Sequence, residues 1–121
     1  MDKRALVEKY VEGWLKGNTA QILSTLSPDV VIIESHGPKY VGVKKVEEWA
    51  ETWFKDGKVK KWGITSFYET DNAAFLEWVF ECVSKGVKYN IEGSSVVKFA
   101  NGKISYIREY MTRGPIFEWS R

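Results

Sequence analysis

Two glutamates and a tyrosine interrupt otherwise apolar faces of this chain, and such interruptions are informative because charged side chains are rarely buried without a reason. In the run from Val30 to His36, strand alternation puts Val30, Ile32, Glu34 and His36 on one side. Near the C-terminus Ile107, Glu109 and Met111 share a side, while Tyr106, Arg108 and Tyr110 share the other. Burial beside apolar neighbours disfavours the charged carboxylate and raises its pKa toward the range useful for proton transfer. Glu34 and Glu109 are therefore candidate general acids or bases. The plain alternative for each is a strand-end glutamate that reaches water or pairs with an arginine such as Arg108. Tyr10 sits between Leu6 and Trp14 on one helical stripe, so its ring turns inward and its hydroxyl requires a partner there. His36 precedes a Gly-Pro pair; it is a mouth residue, a base or a surface turn.

The aromatic content supplies a second kind of candidate. Six Trp, six Tyr and six Phe make up 15% of the 121 residues. Side chains this large either fill a core or line a cavity, and Trp14, Trp53, Trp78, Phe80 and Phe99 are the ones whose faces turn inward. Met111, beside Glu109 on its strand face, joins them. On the face formed by Gly93, Ser95, Val97 and Phe99, Ser95 is the one polar side chain and a candidate hydrogen-bond donor to a ligand.

Other chemistries lack their residues. A single cysteine, Cys82, excludes an internal disulfide, and with one histidine no zinc site is expected. Cys82 reads as a small buried hydrophobe. No glycine-rich phosphate loop, paired-histidine zinc motif or nucleophile elbow is present, and neither metal nor organic cofactor is expected. The 18 basic and 16 acidic residues leave a net charge of +2, too small a field to imply nucleic acid or a membrane surface. Lys55, Lys58, Lys60 and Lys61 beside Trp53, Phe54 and Trp62 read as a solvated loop and strand end. No apolar run is long enough to span a bilayer. The first ten residues hold no apolar leader segment, so a reduced, cytoplasmic setting is expected.

These residues need a scaffold. Leu6, Val7, Tyr10, Val11 and Trp14 recur at helical spacing, with Gly17 as the stop. Asn18 caps a short second helix carrying Ile22, Leu23 and Leu26, which Ser27-Pro28-Asp29 ends. Val30 to Ser35 reads as a strand. A third helix runs from about Val43 to Lys55, with Val43, Val46, Trp49, Ala50, Trp53 and Phe54 on one stripe. From about Val59 to Arg113 four strands follow, joined at Asp71-Asn72, Ser84-Lys85-Gly86 and Asn101-Gly102, the last a strong hairpin signal. The order α-α-β-α-β-β-β-β is an α+β pattern with an antiparallel meander. Strands of about ten residues reach about 33 Å, whereas a domain of this size has a radius of gyration of about 13–14 Å. The sheet must curl, and the helices then close its concave side over a hollow suited to a small ligand. The apolar tail from Pro115 to Trp119 is expected to dock, on the cavity mouth or on a second subunit.

Over almost its whole length the chain resembles the nuclear transport factor 2-like superfamily, in its SnoaL-like and ketosteroid-isomerase-like branch. The resemblance rests on the opening from Val7 to Asn18, the strand entry Ser27 to Val31, Gly42 before the third helix, and the closing hairpin from Val96 to Met111. It implies one domain over residues 1–121: a cone-shaped curved antiparallel sheet wrapped around three helices, with a deep pocket, often paired as a homodimer through the sheet's outer face. It also implies that Tyr10 stands where ketosteroid isomerases hold an oxyanion-hole tyrosine and Glu34 where they hold the catalytic base. Ser95 occupies the place of their protonated aspartate. Glu109 falls near the last-strand acid of SnoaL-like cyclases. Three readings of function follow. One is cofactor-independent proton transfer, as by an isomerase, cyclase or hydrolase, on a small apolar carbonyl compound; the second is binding of an apolar ligand without turnover; the third is a dimeric interaction domain with a vestigial pocket.

Overall fold

The computed structural model describes residues 1–120. Three helices, α1 (Lys3–Lys16), α2 (Thr19–Ser24) and α3 (Val43–Phe54), pack on one face of a six-stranded sheet. The strands are β1 (Leu26–Ile33), β2 (Lys39–Val41), β3 (Gly57–Glu69), β4 (Ala73–Ser84), β5 (Val87–Ala100) and β6 (Lys103–Met111). Their spatial order is β2-β1-β6-β5-β4-β3, with β1 parallel to β6 and every other pair antiparallel. The sheet is curved and unclosed, an α+β architecture as the sequence implies.

Local chemistry sets the boundaries. The Asp2 carboxylate caps α1 by accepting from the Ala5 amide, and Asn18 caps α2 by accepting from Gln21. Gly17 closes α1 in the left-handed conformation. At the β5–β6 turn Asn101 and Gly102 both take positive φ, which a two-residue type I′ hairpin requires.

Two expectations are corrected. The segment Ser27-Pro28-Asp29 does not separate helix from strand; it belongs to β1, which begins at Leu26. Pro28 lacks an amide hydrogen, and the β1–β6 register is broken between Leu26 and Val31, so the proline sits where the ladder is interrupted. β1 also ends at Ile33 rather than Ser35, and the three-residue β2 pairs back on it, with Val31 opposite Val41 and Ile33 opposite Lys39. Lys-Tyr-Val is too short to show a period, and so the added strand has no sequence signature.

Along the inner face of each long strand, an aliphatic half gives way to an aromatic or acidic half. Val30 and Ile32 on β1, Leu76 on β4, Val97 on β5, and Ile104 and Ile107 on β6 are buried with Val7, Val11, Ile22, Val46 and Ala50 of the helices. Beyond them come Glu34, Trp78, Phe80, Ile91 and Glu109. The aliphatic half is solid core. In the other half, sheet and helices diverge.

Candidate functional site

That divergence leaves a cavity of about 430 Å³, within the size range of small-molecule sites. Its wall is largely aromatic: Tyr10 and Trp14 from α1, Trp49 and Trp53 from α3, Trp62 from β3, Trp78 and Phe80 from β4, and Tyr89 from β5. Adjacent rings brace one another. Trp62 meets Trp78 at 80° and Phe80 at 87°, while Trp14 lies 4.8 Å from Trp49 and meets Trp53 at 82°. Edge-to-face pairs of this kind contribute about 0.5–1.5 kcal/mol each beyond the area they bury.

Trp78 is held with particular care. Its indole N–H donates to Ser95 Oγ at 2.9 Å, and its ring crosses β5 at Gly93. A Cβ on Gly93 would stand 2.5 Å from the indole and closer still to the Tyr110 carbonyl oxygen, so only glycine admits the ring. Two other wall indoles, Trp14 and Trp62, have buried N–H groups without a hydrogen-bond partner.

The acidic residues lie where the aliphatic core meets the cavity. The parallel β1–β6 register ends with Ile33 opposite Arg108, and Glu34 follows directly, near enough for its charge to act on Glu109. Glu109 pairs in turn with Ser95 across β5, and Ser95 with Leu76 across β4. Glu109 and Ser95 therefore face the same side of neighbouring strands, and Glu34 lies one residue past the end of β1 on the Glu109 side. Both carboxyls front the cavity. Among the described residues neither has a salt-bridge partner: the ion pairs Arg4–Glu8, Lys16–Glu12 and Lys45–Glu48 all lie on exposed helix surface. Arg108 points away, over the Tyr110 ring at 5.2 Å.

Burial, and secondarily the neighbouring Glu34 charge, pushes the Glu109 carboxyl up to about 8. Glu109 retains some accessible surface because it fronts the cavity, but protein encloses it closely enough for desolvation to dominate. At neutral pH it is a carboxylic acid, able to donate a hydrogen bond. Tyr10 is buried and its hydroxyl is held well above its ordinary value by desolvation and by the charge at Glu109; the indole of Trp14, turned toward it without closing a hydrogen bond, opposes this. Glu34 is oriented from behind. The Tyr40 hydroxyl donates to Glu34 Oε1 at 2.6 Å, and the Tyr40 ring stacks on Trp49 at 4.1 Å and 9°. Burial and this bond to Glu34 raise the Tyr40 hydroxyl, so it remains a donor.

Most residues singled out from sequence converge here: Tyr10, Glu34, Glu109, His36, Trp14, Trp53, Trp78, Phe80 and Met111 all line the cavity. His36 is exposed at its mouth. Two do not line it. Phe99 lies in the aliphatic half, because β5 turns from cavity to core between Ile91 and Val97. Ser95 is buried behind the wall with its oxygen engaged by Trp78. The tail does not close the mouth either: Ile116, Phe117 and Trp119 are exposed. Sequence reasoning missed Trp62 and Tyr40 as site residues. A bulge in β3 between Val59 and Lys61 shifts the alternation, turning Trp62 inward rather than Lys61. Tyr40 belongs to the strand that carries no periodic signal. Among the described residues no three His, Cys, Asp or Glu side chains gather as a metal site requires.

Residues 7–107 match the SnoaL-like domain family. The chain belongs to that family. A sequence comparison with curated proteins gives no match. In structure this SnoaL-like domain is similar to a hypothetical protein of ketosteroid-isomerase-like fold from Catenulispora acidiphila, solved in complex with trimethylamine, at TM-score 0.78 and 16% identity over 87% of this chain and 83% of that one. It is similar to an epoxide hydrolase of the LEH-like type from M. tuberculosis, at TM-score 0.81 and 13% identity over 89% and 80%. A candidate SnoaL-like polyketide cyclase from Shewanella denitrificans aligns at TM-score 0.80 and 12% identity over 90% and 89%. At such identities the likeness establishes the fold. No described helix is long and apolar enough to cross a membrane.

Proposed function

We propose that this SnoaL-like domain encloses a small carbonyl compound and moves a proton on it without a cofactor. The observation that carries the reading is the pair of adjacent carboxyls with unlike character. Glu109, enclosed and without a counter-ion among the described residues, is pushed up to about 8; Glu34 beside it is steadied by the Tyr40 hydroxyl. An enclosed acid that keeps its proton, beside a second carboxyl able to take one, gives the two partners that proton transfer needs. Glu34, as carboxylate, takes the proton from the carbon next to the carbonyl and returns it to another position. As the carbonyl oxygen gains charge, Glu109 as acid and Tyr10 as hydroxyl donate to it, dipoles already in place before reaction. Ser95 takes no direct part; it steadies Trp78, and the neutral acid comes from the next strand.

The test is turnover by the wild type, Glu34→Gln and Glu109→Gln on a panel of small ketones, read as solvent-deuterium incorporation at the α-carbon. Glu34→Gln should lose about 10²–10⁴-fold in exchange rate while retaining affinity for these neutral ketones. Full activity in both variants refutes the assignment, and binding without exchange by the wild type would leave a ligand-binding protein.

The reading carries two further proposals, a cytoplasmic setting and a homodimer formed through the outer sheet face. Tyr68, Phe75 and Tyr110 stand exposed, and Tyr68 and Phe75 pair across β3 and β4. Sedimentation equilibrium of the wild type against Phe75→Lys checks the dimer: a wild-type monomer at micromolar concentration overturns it.

A further inference from the structure

We propose that the compound held in this cavity is an organic cation, an apolar or aromatic body bearing one tertiary or quaternary ammonium group. This rests on the reading of the cavity as a small-molecule site and names the ligand's chemical class; with such a ligand bound Glu109 is a carboxylate, so donation to the carbonyl oxygen falls to Tyr10 alone. The first ground is charge. Among the described residues no Lys or Arg lines the cavity, whereas two carboxyls do. The one other basic side chain there, His36, is exposed at the mouth. An anionic ligand would meet the Glu34 charge without compensation. A neutral apolar ligand would bury that charge beneath itself and strip its water, which is costly in low dielectric. A cation removes the problem by supplying the missing counter-charge.

The second ground is the wall. Five of the six tryptophans line the cavity: Trp14, Trp49, Trp53, Trp62 and Trp78. An aliphatic wall would serve an apolar ligand equally well, and the same strands are aliphatic one turn of the pleat further in. Indole is the strongest of the aromatic partners for a cation, and desolvation strengthens the attraction. Several of these rings meet at near right angles, as the sides of a box do, so that a compact ammonium can contact more than one.

The two grounds are coupled. With no cation present, Glu109 stays protonated near neutrality because burial and the Glu34 charge both oppose its ionisation. An ammonium beside the pair reverses the second cause and offsets the first. Cation binding should therefore release a proton, and affinity should rise with pH until Glu109 is already ionised in the free protein, above about 8. The other titratable groups facing this site are Tyr10 from α1, Glu34 and His36 from the β1–β2 connection, Tyr40 from β2, Cys82 from β4 and Tyr89 from β5. Burial raises Tyr10, Tyr40 and Cys82, keeping them neutral; a His36→Gln variant removes the histidine's share.

The experiment uses two probes of the same shape, (3-hydroxyphenyl)trimethylammonium and 3-tert-butylphenol, titrated calorimetrically into the full chain from pH 6.5 to 9. The cation is expected to bind about tenfold or more tightly than its neutral isostere at pH 8. Its affinity should rise with pH and then level off, with proton release seen as a buffer-dependent heat at pH 7. Glu109→Gln should flatten the pH dependence. Glu34→Gln and Trp53→Phe should each reduce the preference for the cation, the second serving even if the first is poorly folded. Equal or tighter binding of the neutral phenol overturns the cation assignment while leaving a small-molecule site standing. A preference unaltered in both variants also overturns it. Binding of neither probe removes the small-molecule reading together with this one.

Discussion

Glu109→Gln should stabilise this protein at neutral and alkaline pH, against the usual expectation for a change at a buried polar residue. The carboxyl is raised from an ordinary value of 4.5 to about 8 in the folded chain. Below about 4.5 it is neutral in both folded and unfolded states and contributes nothing to the pH dependence. Between 4.5 and 8 the unfolded chain gives up the proton and the folded chain keeps it. The folded state thus binds more protons, and stability falls as pH rises by up to about 1.4 kcal/mol per unit. Across that window the loss reaches about 3–5 kcal/mol, and above 8 it is complete. Glutamine has the same shape and no charge, so it removes the slope. Its amide needs hydrogen-bond partners, so at pH 4.5–5 the variant should be no more stable than wild type. By pH 8 it should lead by several kcal/mol, or about 10 °C or more in Tm. Urea titrations followed by tryptophan fluorescence at pH 5, 6, 7, 8 and 9 measure the difference directly, and groups common to both proteins cancel. Glu34→Gln should shift the wild-type slope to lower pH without abolishing it, because the Glu34 charge is the second cause of the shift and burial the first. Two parallel stability curves for wild type and Glu109→Gln would refute the claim that Glu109 is enclosed without a counter-ion.

Tyr40→Phe removes the hydroxyl donated to Glu34 at 2.6 Å but keeps the ring stacked on Trp49; α-proton exchange should fall by about tenfold, the value of one aligned hydrogen bond, with unfolding free energy changed by about 1 kcal/mol or less. An unchanged exchange rate would show that Tyr40 does not position the base. Ser95→Ala leaves the buried Trp78 N–H without its acceptor and should cost about 1–3 kcal/mol in denaturant unfolding, with Thr restoring part of the loss. Gly93→Ala drives a methyl group into the Trp78 ring and the Tyr110 carbonyl. It should cost about 1–3 kcal/mol and shift the tryptophan emission as Trp78 is displaced.

Much of this protein could be read from its sequence, because the relevant physics is local. The helical stripes of α1 and α3, the caps at Asn18 and Gly17 and the Asn101-Gly102 turn depend on periodicity and backbone preference within a few residues. They fixed the α+β class and the meander, and alternation turned Glu34 and Glu109 to the inner face. That Glu34 and Glu109 stand side by side was beyond reach, since a parallel pairing of β1 with β6 joins segments some seventy-five residues apart. Nor could alternation reveal that a bulge at Val59–Lys61 brings Trp62 inward, or that a three-residue strand delivers Tyr40 to Glu34. Ser95 shows the same limit: its type and face suggested a ligand donor, but the tertiary structure gave its oxygen to Trp78. Residue types and periods determined what each side chain could do. Only the packed fold, by deciding which groups lose water and which opposite charges stay out of reach, decided that Glu109 keeps its proton.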